Sequence, residues 1–426
     1  MASSVPLLFS SFIFLITSTF AQTPDFPLSV FLQVTKDVST HQYLTHLNMG
    51  TPPVPLKLLV DLGAPFLWIN CDQSGLESSS HHPIKCSSLQ CSIAKVNCCA
   101  TPAGHDTKNC LLDPENTITG VVTSGELAED TIAVELADWH RIGYPSVATI
   151  HHFLFSCAPT QLLRGLASGV KGILGLAKTR IALPSQLANT FDFQKKFAIC
   201  LSSSDGAIFA GGGPYVSLSG TDISRTLVYT PFVSNQDHRL EEYFINVKSI
   251  RIKGKRLSFN SSLLSVDQQG RGGTKISTTV PYTTFESTIY ETFTRAYIMA
   301  ASSMNMTRVA PVAPFGVCFN SKTIDNTLVG AAVPVIDLVL QSEMVRWKIY
   351  GRNSMVMVSD EVMCLGFLDG GLSPKTSIVI GGYQLEDNLL EFDLRTSMLG
   401  FSSSLLMRQT SCSDFKLTSS RFSESI

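Results

Sequence analysis

A strand-and-turn pattern that occurs twice in the 426 residues constrains the fold more than any other feature. An apolar segment ends at Asp61 and turns at Gly63, and a glycine-bearing segment, Gly172–Gly175, follows 111 residues after Asp61. A similar segment ends at Ser277, and its glycine-bearing counterpart ends at Gly381, 104 residues further on. The copies are offset by 216 residues, which predicts two lobes of about 200 residues built on one plan.

The predicted organisation has three parts. Residues 1–21 are typical of a secretory signal, because the apolar run Val5–Ile16 is followed by the small residue Ala21. That run is shorter than the roughly 20 residues that a membrane span needs. We place the first lobe at 22–220 and the second at 221–426. No later stretch is apolar enough to span a bilayer, so we expect a secreted protein that does not bind membranes once the signal is removed.

The composition favours short strands and turns. Hydrophobic residues make up 44% of the chain, enough to build sizeable cores, and charged residues only 15%. The 32 basic and 34 acidic side chains leave a net charge of −2, which excludes a nucleic-acid partner held by a basic face. With 29 Gly and 20 Pro, the sequence predicts an all-β protein with minor helices.

Strand-like runs separated by Gly and Pro turns recur along the chain. The runs are Tyr43–Leu47, Lys57–Val60, Phe66–Ile69, Phe197–Leu201, Ala207–Ala210, Tyr243–Ile252, Ile336–Leu340 and Ser377–Ile380. Apolar residues at helical spacing predict one longer helix over Phe285–Ala301. Two shorter helices are predicted at Pro184–Leu187 and Leu385–Leu389.

Eleven cysteines are read as disulfide partners, because secretion favours disulfides over zinc ligation. They are Cys71, Cys86, Cys91, Cys98, Cys99, Cys110, Cys157, Cys200, Cys318, Cys364 and Cys412. The four from 200 onward can form two bridges. The seven before them cannot all pair, so we expect one leftover thiol in the cluster of Cys98, Cys99 and Cys110. The sequence leaves the connectivity open.

Other motifs indicate surface chemistry rather than a cofactor site. Asn260 and Asn305 begin N-glycosylation sequons, which predicts that both lie in surface loops of a secreted protein. The paired histidines at 81–82 and 151–152 point in different directions on a strand or a helix, so they do not predict a metal site. We expect neither a metal nor a cofactor.

The repeated turns resemble those of the pepsin-like aspartic proteinases. The segment 61–64 followed by Trp68 resembles the first active-site turn of that family, and Gly172–Gly175 resembles the strand that lies behind it. The segment 378–382 is similar to the closing part of the second lobe. The resemblance implies an all-β, two-lobed fold of double-ψ β-barrels with minor helices.

The resemblance fails at the catalytic positions. Such proteinases use two carboxylates about 3 Å apart that share one proton. Only Asp61 is present, because Ser277 stands at the second position, and Thr279 replaces the glycine of that turn. Thr117 stands where the flap of the family carries a tyrosine. One acid–base partner contributes about 10²- to 10⁴-fold in rate. No catalytic pair is therefore intact, and we expect Asp61 to be a structural acceptor of backbone N–H groups.

A narrower resemblance points to a plant apoplastic group. Pro281 and Tyr282 after the second turn, with the segments 310–315 and 382–388, are similar to extracellular dermal glycoprotein, xyloglucan-specific endoglucanase inhibitors, cereal xylanase inhibitors and legume basic 7S globulins. Inhibitory members place loops of the C-terminal lobe in the cleft of a microbial glycoside hydrolase. His105 stands where relatives carry a cysteine, which explains the odd cysteine count.

The same resemblance suggests contact residues. Arg408 lies just before the last cysteine, where inhibitory relatives place a side chain that reaches the cleft. A guanidinium suits the paired carboxylates of a glycosidase. At the second contact position, where xyloglucanase inhibitors carry Arg, this chain has Leu328. Losing one cation predicts weaker binding or a different hydrolase.

The leading hypothesis is a secreted, non-proteolytic inhibitor of microbial xyloglucan endoglucanases or xylanases that serves in plant defence. Two alternatives stay open at this point. One is a residual aspartic-type endopeptidase that uses Asp61 alone or with a recruited carboxylate. The other is a storage or ligand-binding globulin of the 7S type.

Overall fold

A computed structural model of the chain describes residues 29–72, 76–94, 109–137, 146–233 and 241–416. The predicted signal at 1–21 lies outside these ranges. None of the helices within them is both long and apolar enough to cross a bilayer.

Thirteen strands lie before residue 220 in the described part of the chain. They are β1 (Ser29–Lys36), β2 (Tyr43–Met49), β3 (Val54–Asp61), β4 (Trp68–Ile69), β5 (His82–Pro83), β6 (Leu111–Leu112), β7 (Glu115–Asn116), β8 (Val121–Val122), β9 (Gly125–Ala137), β10 (Ser146–Cys157), β11 (Gly172–Gly175), β12 (Lys196–Cys200) and β13 (Asp205–Ala210).

The described residues after 220 form eighteen further strands. They are β14 (Val228–Pro231), β15 (Phe244–Ile245), β16 (Ser249–Ile252), β17 (Lys255–Arg256), β18 (Thr274–Ile276), β19 (Thr283–Phe285), β20 (Arg308–Val309), β21 (Cys318–Asn320), β22 (Asn326–Thr327), β23 (Gly330–Ala331), β24 (Ile336–Val339), β25 (Arg346–Ile349), β26 (Met355–Ser359), β27 (Val362–Leu365), β28 (Phe367–Asp369), β29 (Ile378–Ile380), β30 (Leu389–Asp393) and β31 (Met398–Phe401).

Helices are short in the described ranges. The α-helices are α1 (Leu89–Ile93), α2 (Leu183–Phe191), α3 (Ser287–Ser302), α4 (Gly351–Ser354) and α5 (Gly382–Leu385). Six 3₁₀ helices span Thr160–Leu163, Ser224–Thr226, Ser261–Leu264, Ser321–Thr323, Leu405–Arg408 and Cys412–Asp414.

The first half of the molecule is built around a closed barrel. Seven strands follow one another in the order β1, β2, β3, β11, β4, β10, β9, and β9 pairs back with β1 so that Val30 lies opposite Leu136. Closure removes the open sheet edges that would otherwise invite pairing with other chains. Leu58 and Ile132 are fully buried in the apolar core.

The two copies of the sequence pattern fold alike. In the first copy β11 runs parallel to β3 and places Gly175 opposite Asp61. In the second copy β29 runs parallel to β18 and places Ile380 opposite Ile276. Gly175 has to be glycine, because a Cβ there would lie 2.4 Å from the carbonyl oxygen of Phe66.

A central antiparallel sheet joins the two halves. Its strands follow the order β14, β31, β30, β12, β13, β1, so that strands from both ends of the chain are neighbours. Phe197 of β12 and Phe392 of β30 are register partners, and their rings stack with centroids 4.6 Å apart. The predicted all-β, two-lobed pepsin-like fold is confirmed, whereas the boundary at 220–221 stays a prediction.

The helix predictions have mixed outcomes. The predicted helix over Phe285–Ala301 is α3, which starts after Glu286, because that carboxylate accepts the N–H groups of Thr288 and Ile289. The prediction at Leu385–Leu389 is wrong, since α5 ends at Leu385. Asp387 has a left-handed backbone (φ +52°) that cannot continue a helix, and β30 begins at Leu389.

Four disulfide bonds lie among the described residues. They join Cys71 to Cys157, Cys91 to Cys110, Cys200 to Cys412 and Cys318 to Cys364. The four cysteines from 200 onward thus form two bridges, as the sequence predicts. Cys110 is not the leftover thiol, because it is bonded to Cys91 across 19 residues, so a leftover thiol in that cluster stays a prediction. The other two members of that cluster, Cys98 and Cys99, and also His105, lie outside the described residues.

Both sequon asparagines are exposed. Asn260 caps the 3₁₀ helix Ser261–Leu264, and its side-chain oxygen accepts the N–H and the hydroxyl of Ser262. Asn305 lies just beyond α3 with φ +57°. Glycan attachment at these two positions stays a prediction.

Candidate functional site

Asp61 ends β3 in the first of the two repeated turns, and the region where the two turns meet is called the Asp61 cleft here. Its side chain is buried, with only 2% of the residue exposed. The backbone N–H of Gly63 donates to Oδ1 at 2.7 Å, and the hydroxyl of Thr117 donates to Oδ2 at 2.7 Å. Each carboxylate oxygen therefore has a donor, which fixes the side chain in one orientation.

Burial dominates the ionisation of this carboxyl. Desolvation raises the pKa of Asp61, and the nearby negative charge of Glu242 adds to the increase. The hydrogen bonds from Thr117 and Gly63 and the positive charge of Lys275 act in the opposite direction, but they do not cancel the effect of burial.

Ser277 directly follows the strand β18 in the second turn. Its N–H donates to the carbonyl oxygen of Ile380 at 2.9 Å. Its hydroxyl oxygen lies 3.3 Å from the N–H nitrogen of Thr279 and 3.4 Å from that of Val280. A hydroxyl satisfied by its own turn carries no negative charge, so it cannot share a proton with Asp61 as a second carboxylate does.

Thr279, which replaces the glycine of the second turn, occupies its position without backbone strain. Its backbone φ is not in the left-handed region, so the position does not require glycine on conformational grounds. In the first turn a Cβ on Gly63 would lie 3.3 Å from Oδ1 of Asp61. Ser277 is shorter than Asp, which leaves room for Thr279, and the two hydroxyl oxygens lie 3.2 Å apart.

Thr278 binds the second turn to the first. Its buried hydroxyl donates to the carbonyl oxygen of Val60 at 2.8 Å and accepts the N–H of Leu62 at 3.2 Å. The residue at the matching place in the first turn is Leu62, which has no hydroxyl to return the contact. The Asp61 and Ser277 turns are thus joined by two hydrogen bonds that share one hydroxyl, that of Thr278.

The hairpin of β7 and β8 places Thr117 against Asp61. Asn116, which is fully buried, donates from Nδ2 to the carbonyl oxygens of Leu162 and Arg164 at 2.7 and 2.8 Å. Its Oδ1 accepts the N–H groups at 118 and 119 at 2.9 and 3.1 Å. The hairpin is therefore anchored at its base, and it holds the hydroxyl of Thr117 against the carboxylate of Asp61.

Charged residues that the sequence reasoning missed line the same region. Nζ of Lys275 lies 2.7 Å from Oε1 of Glu242, so the carboxylate beside Asp61 already has a partner. The amine of Lys178 lies over the rings of Phe232 and Tyr243, and burial lowers its pKa to about 8. No local motif links these positions, because they meet only through the fold. No group of three or more His, Cys, Asp or Glu in the described ranges is arranged to hold a metal.

The predicted contact residues lie on two exposed segments of the second half. Leu328 is at the tip of the β22–β23 turn, here called the Leu328 hairpin (residues 326–331), and is 58% exposed. Arg408 ends the 3₁₀ helix Leu405–Arg408, here called the Arg408 segment, and is exposed. Arg408 has no hydrogen bond or ion pair from its side chain to any residue in the described part of the chain.

Both segments are bound at their bases to neighbouring parts of one scaffold. The carbonyl oxygen of Val329 in the Leu328 hairpin accepts the N–H of Arg352 at 2.7 Å. The N–H of Leu405, the first residue of the Arg408 segment, donates to the carbonyl oxygen of Asp387 at 2.8 Å. Each of the two predicted contact segments is therefore held at its base by a backbone hydrogen bond.

Comparison with known proteins matches nearly the whole described chain. The model of the N-terminal part of xylanase inhibitors matches residues 43–212, and the model of their C-terminal part matches residues 242–403. The probable aspartic proteinase GIP2 of Nicotiana benthamiana is 50% identical over 425 residues, covering 95% of this chain and 96% of that protein. Gamma conglutin 1 of Prunus dulcis is 41% identical, with 95% and 93% covered.

Solved structures agree with the sequence matches. The crystal structure of EDGP superposes with a TM-score of 0.85 at 48% identity, covering 91% of this chain and 98% of that chain. The crystal structure of basic 7S globulin from soybean gives a TM-score of 0.77 at 35% identity, with 92% and 99% covered.

Proposed function

The chain belongs to the xylanase-inhibitor family, and from that premise we propose that it is a secreted, non-proteolytic protein that binds and inhibits microbial glycoside hydrolases that degrade plant cell walls. The partner is a protein with a carboxylate-lined cleft, such as a xyloglucan endoglucanase or a xylanase. Its setting is the plant apoplast.

The observation that carries the proposal is the state of Arg408. An exposed guanidinium without an ion pair in the described ranges, held on a short helix that is hydrogen-bonded at its base, is available to a partner. A glycoside hydrolase presents two carboxylates across its cleft, and a guanidinium can bind a carboxylate through two parallel hydrogen bonds. Arg408 is thus suited to enter such a cleft and occupy the catalytic acids.

The geometry of the Asp61 cleft supports the non-proteolytic part. Asp61 is engaged by Thr117, and Ser277 has no charge to offer. Among the residues that the structure describes, the carboxylate whose charge acts on Asp61 is that of Glu242, which is paired with Lys275. A recruited second acid would have to break that ion pair, which disfavours a residual endopeptidase.

Leu328 defines which kind of hydrolase to test first. The Leu328 hairpin offers an exposed apolar side chain where a cation would make a second polar contact. We therefore expect a target whose cleft has an aromatic or aliphatic surface beside the catalytic carboxylates, with Arg408 as the principal cation.

An inhibition assay with purified hydrolases tests the proposal. Xyloglucanases and xylanases from microbial culture filtrates are titrated with the protein, and we expect saturable loss of glycosidase activity with at least one of them. Arg408→Ala should weaken inhibition about 30-fold or more, because truncating one partner of a buried charge pair costs about 2–5 kcal/mol. Arg395→Ala, another exposed arginine, is the matched control and should leave inhibition unchanged. A complete panel without inhibition contradicts the proposal.

A storage or ligand-binding globulin is the second candidate. It is favoured by the similarity to gamma conglutin 1 of Prunus dulcis and to basic 7S globulin of Glycine max, which is 36% identical over 419 residues. The same hydrolase panel separates the two functions, since a storage role predicts that neither the wild-type protein nor Arg408→Ala changes any glycosidase activity.

A further inference from the structure

We infer that Arg352 and Asp387 are positioning residues whose ion pair holds the Leu328 hairpin and the Arg408 segment in one fixed arrangement. The effect of this ion pair on inhibition rests on the proposed function, whereas the coupling of the two segments rests on contacts within this chain. Neither residue is a candidate for direct contact with the hydrolase.

On the hairpin side, α4 lies directly against β23. The N–H of Arg352 donates to the carbonyl oxygen of Val329. The two elements also pack so closely that two glycines between them have no space for a side chain. A Cβ on Gly330, which has φ +90°, would lie 2.3 Å from the backbone nitrogen of Arg352. A Cβ on Gly351 would lie 2.0 Å from the carbonyl oxygen of Ala331. The position of the hairpin is thus set by the position of Arg352.

On the other side, Asp387 binds both ends of the loop that carries Arg408. Its carbonyl oxygen accepts the N–H of Leu405, and its Oδ1 accepts the N–H of Cys412 at 3.2 Å. Its own N–H donates to the carbonyl oxygen of Leu201 at 2.7 Å. Cys412 is further joined to Cys200 by a disulfide. The buried Asp387 therefore fixes where the Arg408 segment begins and where its loop ends.

The ion pair joins these two sides. Nε of Arg352 lies 3.7 Å from Oδ2 of Asp387, and Nη2 of Arg352 donates to the hydroxyl of Ser203 at 2.9 Å. The side chain of Asp387 is 4% exposed and that of Arg352 is 42% exposed, so the arginine covers a carboxylate that solvent hardly reaches. The neighbouring acid, Glu386, is paired with Lys36 at 2.6 Å and leaves Arg352 to Asp387.

The charges around the pair agree with this role. Burial raises the pKa of Asp387, and the negative charge of Glu386 adds to the increase. The N–H of Cys412 and the charge of Arg352 counteract that increase. The positive charge of Arg352 thus favours the ionised form of Asp387, which accepts the N–H of Cys412.

Fixed spacing between the two segments would lower the entropic cost of binding, because neither segment has to be ordered when the partner arrives. The ion pair contributes to affinity without touching the partner. Loss of the ion pair should therefore weaken binding of the partner and, in the same variant, increase hydrogen exchange at remote amides.

Amide hydrogen exchange on the full-length protein, with inhibition measured in parallel, tests the inference. Arg352→Gln removes the charge and should increase exchange at the Leu405 amide, which Arg352 does not contact, by about tenfold. Asp387→Asn should increase exchange at the Arg352 amide to a similar extent. Arg352→Lys keeps the charge and should restore most of the protection at Leu405. Arg225→Gln, at an exposed ion pair with Asp222, is the matched control and should change neither amide.

The inhibition readout separates this inference from the proposed function. With a hydrolase that the wild-type protein inhibits, Arg352→Gln should weaken inhibition at least fivefold, and Arg352→Lys should recover most of it. Unchanged exchange at Leu405 in Arg352→Gln overturns the inference, as does unchanged inhibition by that variant. If the wild-type protein inhibits no hydrolase, the proposed function fails, and the exchange result alone decides whether the ion pair couples the two segments.

Discussion

The Asp61 turn and the Ser277 turn end equivalent strands and are backed by equivalent parallel strands, yet different contacts hold them in place. The first turn is fixed by a buried carboxylate with donors on both oxygens. The second is fixed by a neutral hydroxyl and by Thr278, which reaches across to Val60 and Leu62. The fold therefore depends on the hydrogen bonds between the two turns and does not require a second carboxylate.

Thr278→Val should have the largest effect among substitutions in the two turns. Valine keeps the shape of the side chain but leaves a buried carbonyl and a buried N–H without partners, each costing about 1–3 kcal/mol. We expect the free energy of unfolding to fall by about 2–4 kcal/mol, measured by urea denaturation. Thr279→Val is the control, because among the described residues its hydroxyl is hydrogen-bonded within its own turn, to Ser277. Equal decreases in the free energy of unfolding for the two variants would show that the hydrogen bonds between the turns stabilise the protein no more than the local one does.

Asp61→Asn should remove a pH dependence. Because burial raises the pKa of Asp61, the folded protein binds a proton more tightly than the unfolded chain, whose pKa is about 4. Wild-type stability should therefore decrease as the pH rises from about 4 through the folded pKa, by about 1.4 kcal/mol for each unit of difference. Asparagine does not titrate, so the variant should lose the contribution of Asp61 and be more stable than wild type at neutral pH, whereas Asp387, whose pKa burial also raises, contributes equally in both proteins.

Thermal unfolding between pH 3 and pH 8 measures this difference. The wild-type and Asp61→Asn curves should meet below about pH 4, where the carboxyl is protonated in both the folded and the unfolded states. A wild-type protein that gains stability over the variant as the pH rises would mean that the hydrogen bonds to the carboxylate outweigh burial.

Thr117→Val should have the smallest effect on stability. It deletes the hydroxyl that donates to Oδ2 of Asp61 from a half-buried position, so we expect a loss of about 1 kcal/mol at pH 7. Because that bond favours the charged carboxylate, its removal should raise the pKa of Asp61 further and steepen the decline in stability with rising pH. The same pH series measures both, and an unchanged slope would contradict the described role of Thr117.

The sequence predicts the fold well where patterns are local. The repeated turns, the strand near Asp61 and the helix α3 follow from apolar spacing and glycine placement. The long strands β9 and β10, which complete the barrel, were not predicted. Acidic residues interrupt the apolar pattern of β9, and the register of β10 shifts between Ile150 and Phe153 around two exposed histidines.

The candidate site is predictable only where its residues lie in local motifs. Asp61, Ser277 and Thr117 could be found because they stand in recognisable turns, and the structure brings Thr117 to Asp61. The Lys275–Glu242 and Arg352–Asp387 pairs could not, since their members are 33 and 35 residues apart with no motif between them. Such pairs are set by packing between elements, which a single sequence does not display.

Inhibition constants of two variants show whether the Arg408 segment or the Asp61 cleft carries the inhibitory function. Asp61→Asn and Arg408→Ala are titrated against the same inhibited hydrolase beside the wild-type protein. We expect an unchanged inhibition constant for Asp61→Asn and a constant raised about 30-fold or more for Arg408→Ala. Loss of inhibition in Asp61→Asn with full inhibition by Arg408→Ala would contradict this expectation.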